Sequence, residues 1–417
     1  MRAPLGKTNI MAETHSNETG APHMGRGTLA LLAAACGITV GNVYLCQPLL
    51  DQIAVNMGVA PQTAGLVAVG AQVGYALGIL FVLPLADAIA ARPLVRTLLI
   101  LTALFLLAAS LSPTTPLLIS ASVAVAATTV IPQILIPIIS GLAAPEHRGR
   151  VIGTLQTGLI LGILLSRTVA GGVAQVSGSW RSPYLLAAGL TACLVFIVPR
   201  LLPERSGPVA HEGYVNLLRS LIPLLQHRPL RLSMTMGFLV FGAFSAFWAT
   251  LAFHLASPAF GLGPAAAGLF GLYGALGAIL APMAGRLSDR IGSAKVNVFS
   301  LLAVVAAFVL SGSVGAFSLL ALVLAVNLLD FGLQSGQIAN QARIFALGND
   351  IRARVNTLYM VATFSGGAAG SFAGTFAWSL GGWHGVCSLA VALIVIAGVI
   401  LALNLRTKAN HSQSQGA

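Results

Sequence analysis

The sequence predicts an all-α integral membrane protein, with twelve transmembrane helices in two pseudo-symmetric six-helix bundles. Three observations carry that reading. Of 417 residues, 57% are hydrophobic and 8% charged, where a soluble domain carries about 25% charged residues. So few charges cannot cover a water-facing surface, and lipid is the solvent that removes the need. Apolar runs long enough to cross about 30 Å of hydrocarbon recur along the chain. Finally, the chain repeats itself at an offset of about 200 residues. Asp87 is matched by Asp289, Gln133 by Gln337, Gly162 by Gly366, and Gly178-Ser179-Trp180 by Gly381-Gly382-Trp383. Glu146-His147-Arg148-Gly149-Arg150-Val151 is matched by Asp350-Ile351-Arg352-Ala353-Arg354-Val355. Many transporters use two related halves to set one site between bodies that rock against each other.

In order, the apolar runs of the first half fall near 28–50, 62–84, 94–113, 116–144, 150–176 and 183–203. Those of the second fall near 232–257, 265–285, 296–316, 317–343, 355–380 and 383–405. The expected organisation is a disordered cytosolic leader 1–27, a first bundle 28–203, a cytosolic connector 204–231, a second bundle 232–405 and a cytosolic tail 406–417. The leader lacks the basic-then-apolar layout of a cleaved signal peptide. In the connector, Val215, Leu218 and Ile222 recur at helical spacing, which predicts a short helix on the inner membrane surface. Gly70, Gly74 and Gly78 form a ladder for close helix contact on the second span, and Gly158 and Gly162 do the same on the fifth. Pro132 and Pro137 are expected to kink the fourth span. Trp180 and Trp383 read as anchors at the outer membrane surface.

The net charge of +12 raises the possibility of a nucleic-acid partner, but apart from Arg167 and Arg181 the basic residues stand in alternate loops, before the first span, at one span end or in the tail. That is the positive-inside pattern, which places both termini and the connector in the cytoplasm. Cys36, Cys46, Cys193 and Cys387 lie in apolar stretches without metal-ligand spacing and read as small core residues. No Walker loop, nucleophile pairing or metal cluster is present, so the sequence predicts no enzyme, cofactor or metal.

Between the eighth and ninth spans lies Gly285-Arg286-Leu287-Ser288-Asp289-Arg290-Ile291-Gly292. A turn this tight needs glycine at its ends, and the Asp can face a helix N-terminus. The motif recurs after the second span as Asp87 with Arg92 and Arg96, although Leu83 and Ala91 stand where the second copy has Gly285 and Gly292. With Asn42-Val43-Tyr44, Gln47-Pro48-Leu49-Leu50, Gln72 to Gly78 and Asn340-Gln341-Ala342-Arg343, this pattern resembles the major facilitator superfamily over about residues 28 to 405. The match is closest to bacterial efflux members of the drug/proton antiporter kind. One departure is that Arg167-Thr168 occupy the Gly-Pro places of the fifth-span antiporter signature, while Gly171-Gly172 are kept. The resemblance implies the major facilitator fold, alternating access around a cavity lined by spans 1, 4, 7 and 10, a location in the bacterial inner membrane, and action as a monomer. It also implies that Asp87 and Asp289 latch the cytoplasmic faces of the two halves.

Two charges lie deep in the membrane. Asp330 sits midway along the tenth span, where an unpaired carboxylate is costly and either finds a partner or takes up a proton. Asn327, Asp330, Gln334 and Gln337 follow at three- or four-residue steps and share one face. Arg167, well inside the fifth span, cannot shed its charge and needs a carboxylate, an anion or a wet route. The two are expected to form a central ion pair, either broken by protonation or substrate, or a static pair that docks the bundles. Asn42, Tyr44, Gln47, Gln72, Tyr75, Gln133, Phe244, Phe247 and Trp248 complete the cavity candidates. Their mix of amides and rings suits a small, moderately apolar organic solute, although packing explains any one of them as well. The expected function is proton-coupled efflux of such solutes. The alternatives are proton-coupled uptake, or a membrane sensor that keeps the fold without transport.

Overall fold

The computed structural model describes residues 25–203, 213–275, 277, 290, 292–348 and 350–414. Most of the leader, part of the connector, the second half of the eighth span with Gly285 and Asp289, the last tail residues and the Asp87 side chain lie outside the described residues. Among the described residues, ten helices are long and apolar enough to cross a membrane. They are Arg26–Met57, Pro61–Val82, Ala91–Ser110, Thr115–Leu142, Arg148–Ser177 and Arg181–Leu201 in the first half. Arg228–Ala256, Ser293–Gly312, Leu319–Phe345 and Arg352–Arg406 follow in the second. The last contains two spans, divided where Gly381 (φ −143°) and Gly382 (φ 56°) leave helical geometry. The eighth span is represented by Pro264–Tyr273. With that division, eleven of the twelve expected spans are described at membrane-crossing length and the eighth in part, and they are numbered 1 to 12 below.

The helices pair in a way that follows the internal repeat. Span 1 packs on span 5, span 2 on 4 and span 3 on 6, and in the second half span 7 packs on 11, 8 on 10 and 9 on 12. Small residues make the closest crossings possible. A Cβ on Gly37 would lie 2.6 Å from the Gly158 carbonyl oxygen, and one on Gly242 would lie 3.0 Å from that of Gly366. Without a hydrophobic drive between helices in lipid, such backbone approach is the main source of packing energy. The ladder of Gly70, Gly74 and Gly78 meets the backbone of span 4 at Ile119, Val123 and Ala127.

The two halves meet along two symmetry-related seams, span 5 on 8 and span 2 on 11. On the first, Gly171 faces Pro264 and Gly268, and Thr168 Oγ1 donates to the Gly268 carbonyl at 3.0 Å. On the second, the Tyr75 and Phe364 rings lie 4.5 Å apart. At the face opposite the connector, the turn Gln47–Leu49 of span 1 also touches spans 7 and 8. On the connector face, spans 4 and 10 make no more than glancing contact.

Span 4 breaks between Thr115–Thr128 and Ile131–Leu142, with Pro132 opening the second piece and Pro137 inside it. Thr129 Oγ1 donates to the Thr39 carbonyl at 2.6 Å and pins the break to span 1. The connector forms a helix over Tyr214–Arg219, and Tyr214 Oη donates to the Phe81 carbonyl at 2.7 Å.

Three sequence expectations are corrected. Trp180 and Trp383 are 0% and 4% exposed, so neither is a lipid-facing anchor. Both follow a glycine of positive φ, and each indole Nε1 donates inward, Trp180 to Asn56 Oδ1 at 3.1 Å and Trp383 to the Ser311 carbonyl at 3.0 Å. Cys193 is exposed, while the other three cysteines are buried as expected.

Candidate functional site

The centre of the molecule is organised by Arg167. Span 5 brings it to the boundary between the halves, beside Gly268 and Gly271 of span 8, where any side chain would meet the Arg167 backbone or stem. Its Nε donates to Gln47 Oε1 at 2.7 Å. Its guanidinium carbon lies 3.8 Å from the Trp248 ring centroid and 4.9 Å from that of Tyr44. An arginine keeps its charge even here, and the ring faces and amide oxygen replace part of the lost water. They do not replace all of it, because Arg167 Nη2 is buried without a hydrogen-bond partner.

Asp330 comes from the opposite half on span 10 and is 7% exposed. Its Oδ2 also lacks a hydrogen-bond partner and rests against Gly274, where a Cβ would collide with it. Arg167 packs on Gly271 and Asp330 on Gly274 of the same helix, yet no ion-pair contact forms between them. The expected direct ion pair is therefore not made in this conformation. Two buried opposite charges stand near one another, each incompletely satisfied.

The other candidates divide into three groups. Tyr44, Gln47 and Trp248 contact Arg167 directly. Phe244 stacks on Phe241 and is tilted against Trp248, and Phe241 leads on to Phe364 and Tyr75, so aromatic rings run from the Arg167 site along the seam of spans 2 and 11. Gln133 Nε2 meets Tyr75 Oη at 3.5 Å, while Gln72 is buried with Oε1 unpartnered. On span 10, Asn327 Oδ1 accepts from the Gly277 backbone N–H at 3.1 Å. Gln334 and Gln337 are half-buried, so a polar row leads from the connector face towards buried Asp330.

Two cavity candidates lie elsewhere. Phe247 points into the second bundle, 6.2 Å from Phe308 and 5.3 Å from Trp383 by ring centroids. Asn42 lines a groove among spans 1, 5 and 6, on the side of span 1 away from the central cluster. In the loop motif, Gly292 has φ +86°, the left-handed geometry that favours glycine. At the matching place in the first copy, Ala91 begins a helix, so no glycine is needed. Arg92 Nε donates to the Pro199 carbonyl at 2.6 Å within the first half, and Arg96 and Arg290 are exposed. The latch expected of Asp87 and Asp289 involves atoms outside the described residues.

The structure also reveals neighbours that the sequence reading passed over. Gly268, Gly271 and Gly274 recur every three residues, a visible small-residue ladder that admits Arg167 on one side and Asp330 on the other. Near the connector face, Arg343 Nη1 donates to Asn340 Oδ1 at 2.7 Å and to Ser233 Oγ at 3.2 Å. Among the described residues, no group of three or more potential metal-ligating side chains is assembled.

A family model for the Major Facilitator Superfamily matches this chain over residues 30–368 and 235–417. The chain is 38% identical over 374 residues to the uncharacterized transporter YgaY of Escherichia coli O157:H7, covering 89% of this chain and 94% of that protein. It is 36% identical over 381 residues to the probable transporter SCO4007 of Streptomyces coelicolor, covering 88% and 85%. Among solved structures, the nucleoside transporter NupG superposes with a TM-score of 0.68 at 14% identity, covering 91% of this chain and 98% of that one. An inward-facing, unoccupied bacterial homologue of the human lysosomal transporter Spinster gives 0.66 at 17%, covering 91% and 96%. At these identities the structural likeness speaks to the fold alone.

Proposed function

Because the chain belongs to the Major Facilitator Superfamily and is a transporter of that family, we propose that it exports small organic solutes across the bacterial inner membrane by proton-coupled alternating access. The two bundles, 28–203 and 232–405, are the rocking bodies, and the protein works as a monomer with both termini in the cytoplasm. One observation carries the reading: Arg167 and Asp330 approach from opposite halves, both buried, each with an unpartnered polar atom.

Arg167 is the fixed charge and Asp330 the variable one. When Asp330 is ionised, its attraction to Arg167 in a poorly polarisable interior draws the halves together at this level. When Asp330 is protonated, that attraction is lost and the contact can reopen. The half-buried Gln334 and Gln337 give protons and water a polar approach from the connector face. The aromatic and amide surroundings of Tyr44, Gln72, Tyr75, Gln133, Phe244 and Trp248 suit a moderately apolar solute with a few hydrogen-bonding groups.

The test uses purified protein in proteoliposomes with imposed pH gradients and pools of organic compounds. Flux should follow the gradient in wild type and lose its pH dependence in Asp330→Asn. An Asp330→Asn protein with full pH-dependent flux would defeat the proton-carrying role. Solute entry down an inward proton gradient would convert the reading to uptake.

A further inference from the structure

We propose that the groove among spans 1, 5 and 6 is a binding site for an uncharged lipophilic solute with a hydrogen-bonding group within its apolar body, entered from the bilayer. The groove encloses about 630 Å³, within the roughly 300–1,000 Å³ typical of pockets for drug-sized ligands. It runs from Ala30 to Leu45 on span 1, from Thr154 to Ala170 on span 5 and from Pro183 to Leu190 on span 6.

Its origin lies in the helix packing. Gly37 against Gly158 and Gly162 draws spans 1 and 5 together along one line. Span 1 then presents Ala30, Ala34 and Gly37 to the space in front of span 6, with too little side-chain volume to fill it. Leu165 and Leu190, 45% and 42% exposed, form the walls. No charged side chain lines the groove, so nothing there would hold an ion.

Asn42 makes the groove more than a lipid-filled slot. It lines the groove, is 7% exposed, and its Nδ2 is buried without a partner. That Nδ2 has no partner, and because the amide oxygen and nitrogen can exchange places by a flip, either can be the atom that meets the ligand. Asn42 also stands near the middle of Arg26–Met57, with its neighbour Gly41 against Ser166. At that depth the ester and headgroup atoms of a phospholipid are out of reach, because they sit at the bilayer interfaces. A hydrocarbon tail leaves the amide stranded, whereas a solute carrying a hydroxyl or carbonyl in an apolar frame satisfies both the walls and the amide. Tyr44, two residues on, turns to the other side of span 1 and contacts Arg167, so the groove lies directly behind the central cluster.

The test reads binding rather than flux and is therefore independent of the transport reaction proposed above. Full-length protein in lipid nanodiscs is photolabelled with a diazirine-bearing octanol, and the adducts are mapped by mass spectrometry. Labelling should saturate and fall on the groove segments of spans 1, 5 and 6. Asn42→Leu, which keeps size and removes the amide, should raise the half-saturating concentration roughly fivefold. Ala34→Phe, which fills the groove from an exposed position, should abolish saturable labelling. Labelling that never saturates, that is equal for a diazirine-bearing octane, or that is unchanged in Asn42→Leu would overturn the proposal and leave the groove to ordinary acyl chains. The Asn42→Leu comparison decides even if Ala34→Phe fails to fold.

Discussion

The Arg167 guanidinium sits over the Trp248 ring across the boundary between the halves, its central carbon 3.8 Å from the ring centroid. Span 5 of the first bundle and span 7 of the second are thus joined by a cation–π contact, while Gln47 Oε1 of span 1 accepts from Nε. Burial makes that contact worth about 2 kcal/mol or more.

Arg167→Lys should test whether the planar fork matters as well as the charge. A lysine ammonium cannot lie on Trp248 and also present an Nε–H to Gln47, and its stronger hydration makes burial harder. The expected result is a transport rate lower by about tenfold or more, with folded protein retained in the membrane. Flux normalised to protein, beside a melting curve, checks both.

Removing one of the two central charges should hurt more than removing both. Arg167→Gln leaves Asp330 buried without its counter-charge, and Asp330→Asn does the reverse; each is expected to cost about 3 kcal/mol. The double variant restores neutrality, so its melting temperature should lie above that of the worse single variant. Strict additivity of the two losses would show that the charges do not sense each other.

Gly274→Ala is a one-carbon probe of the Asp330 pocket. Gly274 is the C-cap of Pro264–Tyr273 with φ −73°, a backbone geometry that alanine adopts freely, so only the space around it can oppose the added carbon. Here the added methyl would meet Asp330 Oδ2. Loss of transport or of thermal stability is expected, with Gly141→Ala as the control because its Cβ meets nothing within 4 Å.

Gly382→Ala should lower stability by about 1–3 kcal/mol, because φ 56° with ψ −145° is a conformation nearly confined to glycine. Gly381→Ala should be almost silent, since φ −143° suits any residue. Comparing the two melting curves isolates backbone strain from helix packing, because neither added methyl meets a neighbour within 4 Å.

Much of this architecture was legible from residue order. Among the described residues, the apolar runs located most span ends to within a few residues, although the first span runs on to Met57, and the offset pairs anticipated the paired seams. The repeat even extended to Trp180 and Trp383, which share a buried setting after a glycine of positive φ. Their role was misread because a tryptophan near a span end looks the same in sequence whether it faces lipid headgroups or a neighbouring helix. The Gly268, Gly271 and Gly274 ladder was visible too, but only the fold shows that it makes room for Arg167 and Asp330.

By itself the sequence determined the solvent, the number of crossings, the two-fold plan and the presence of a buried charge in each half. Tertiary structure decided which way each helix face turns: Asn42 to the lateral groove, Phe247 into its own bundle, and Arg167 to Gln47 and Trp248 instead of to Asp330. The reason is physical. In water, a helix advertises its inner face by the contrast between apolar and polar residues. In a bilayer the lipid side and the packed side are both apolar, so that contrast is nearly erased and rotation about the helix axis is settled by shape, close backbone contact and a few hydrogen bonds.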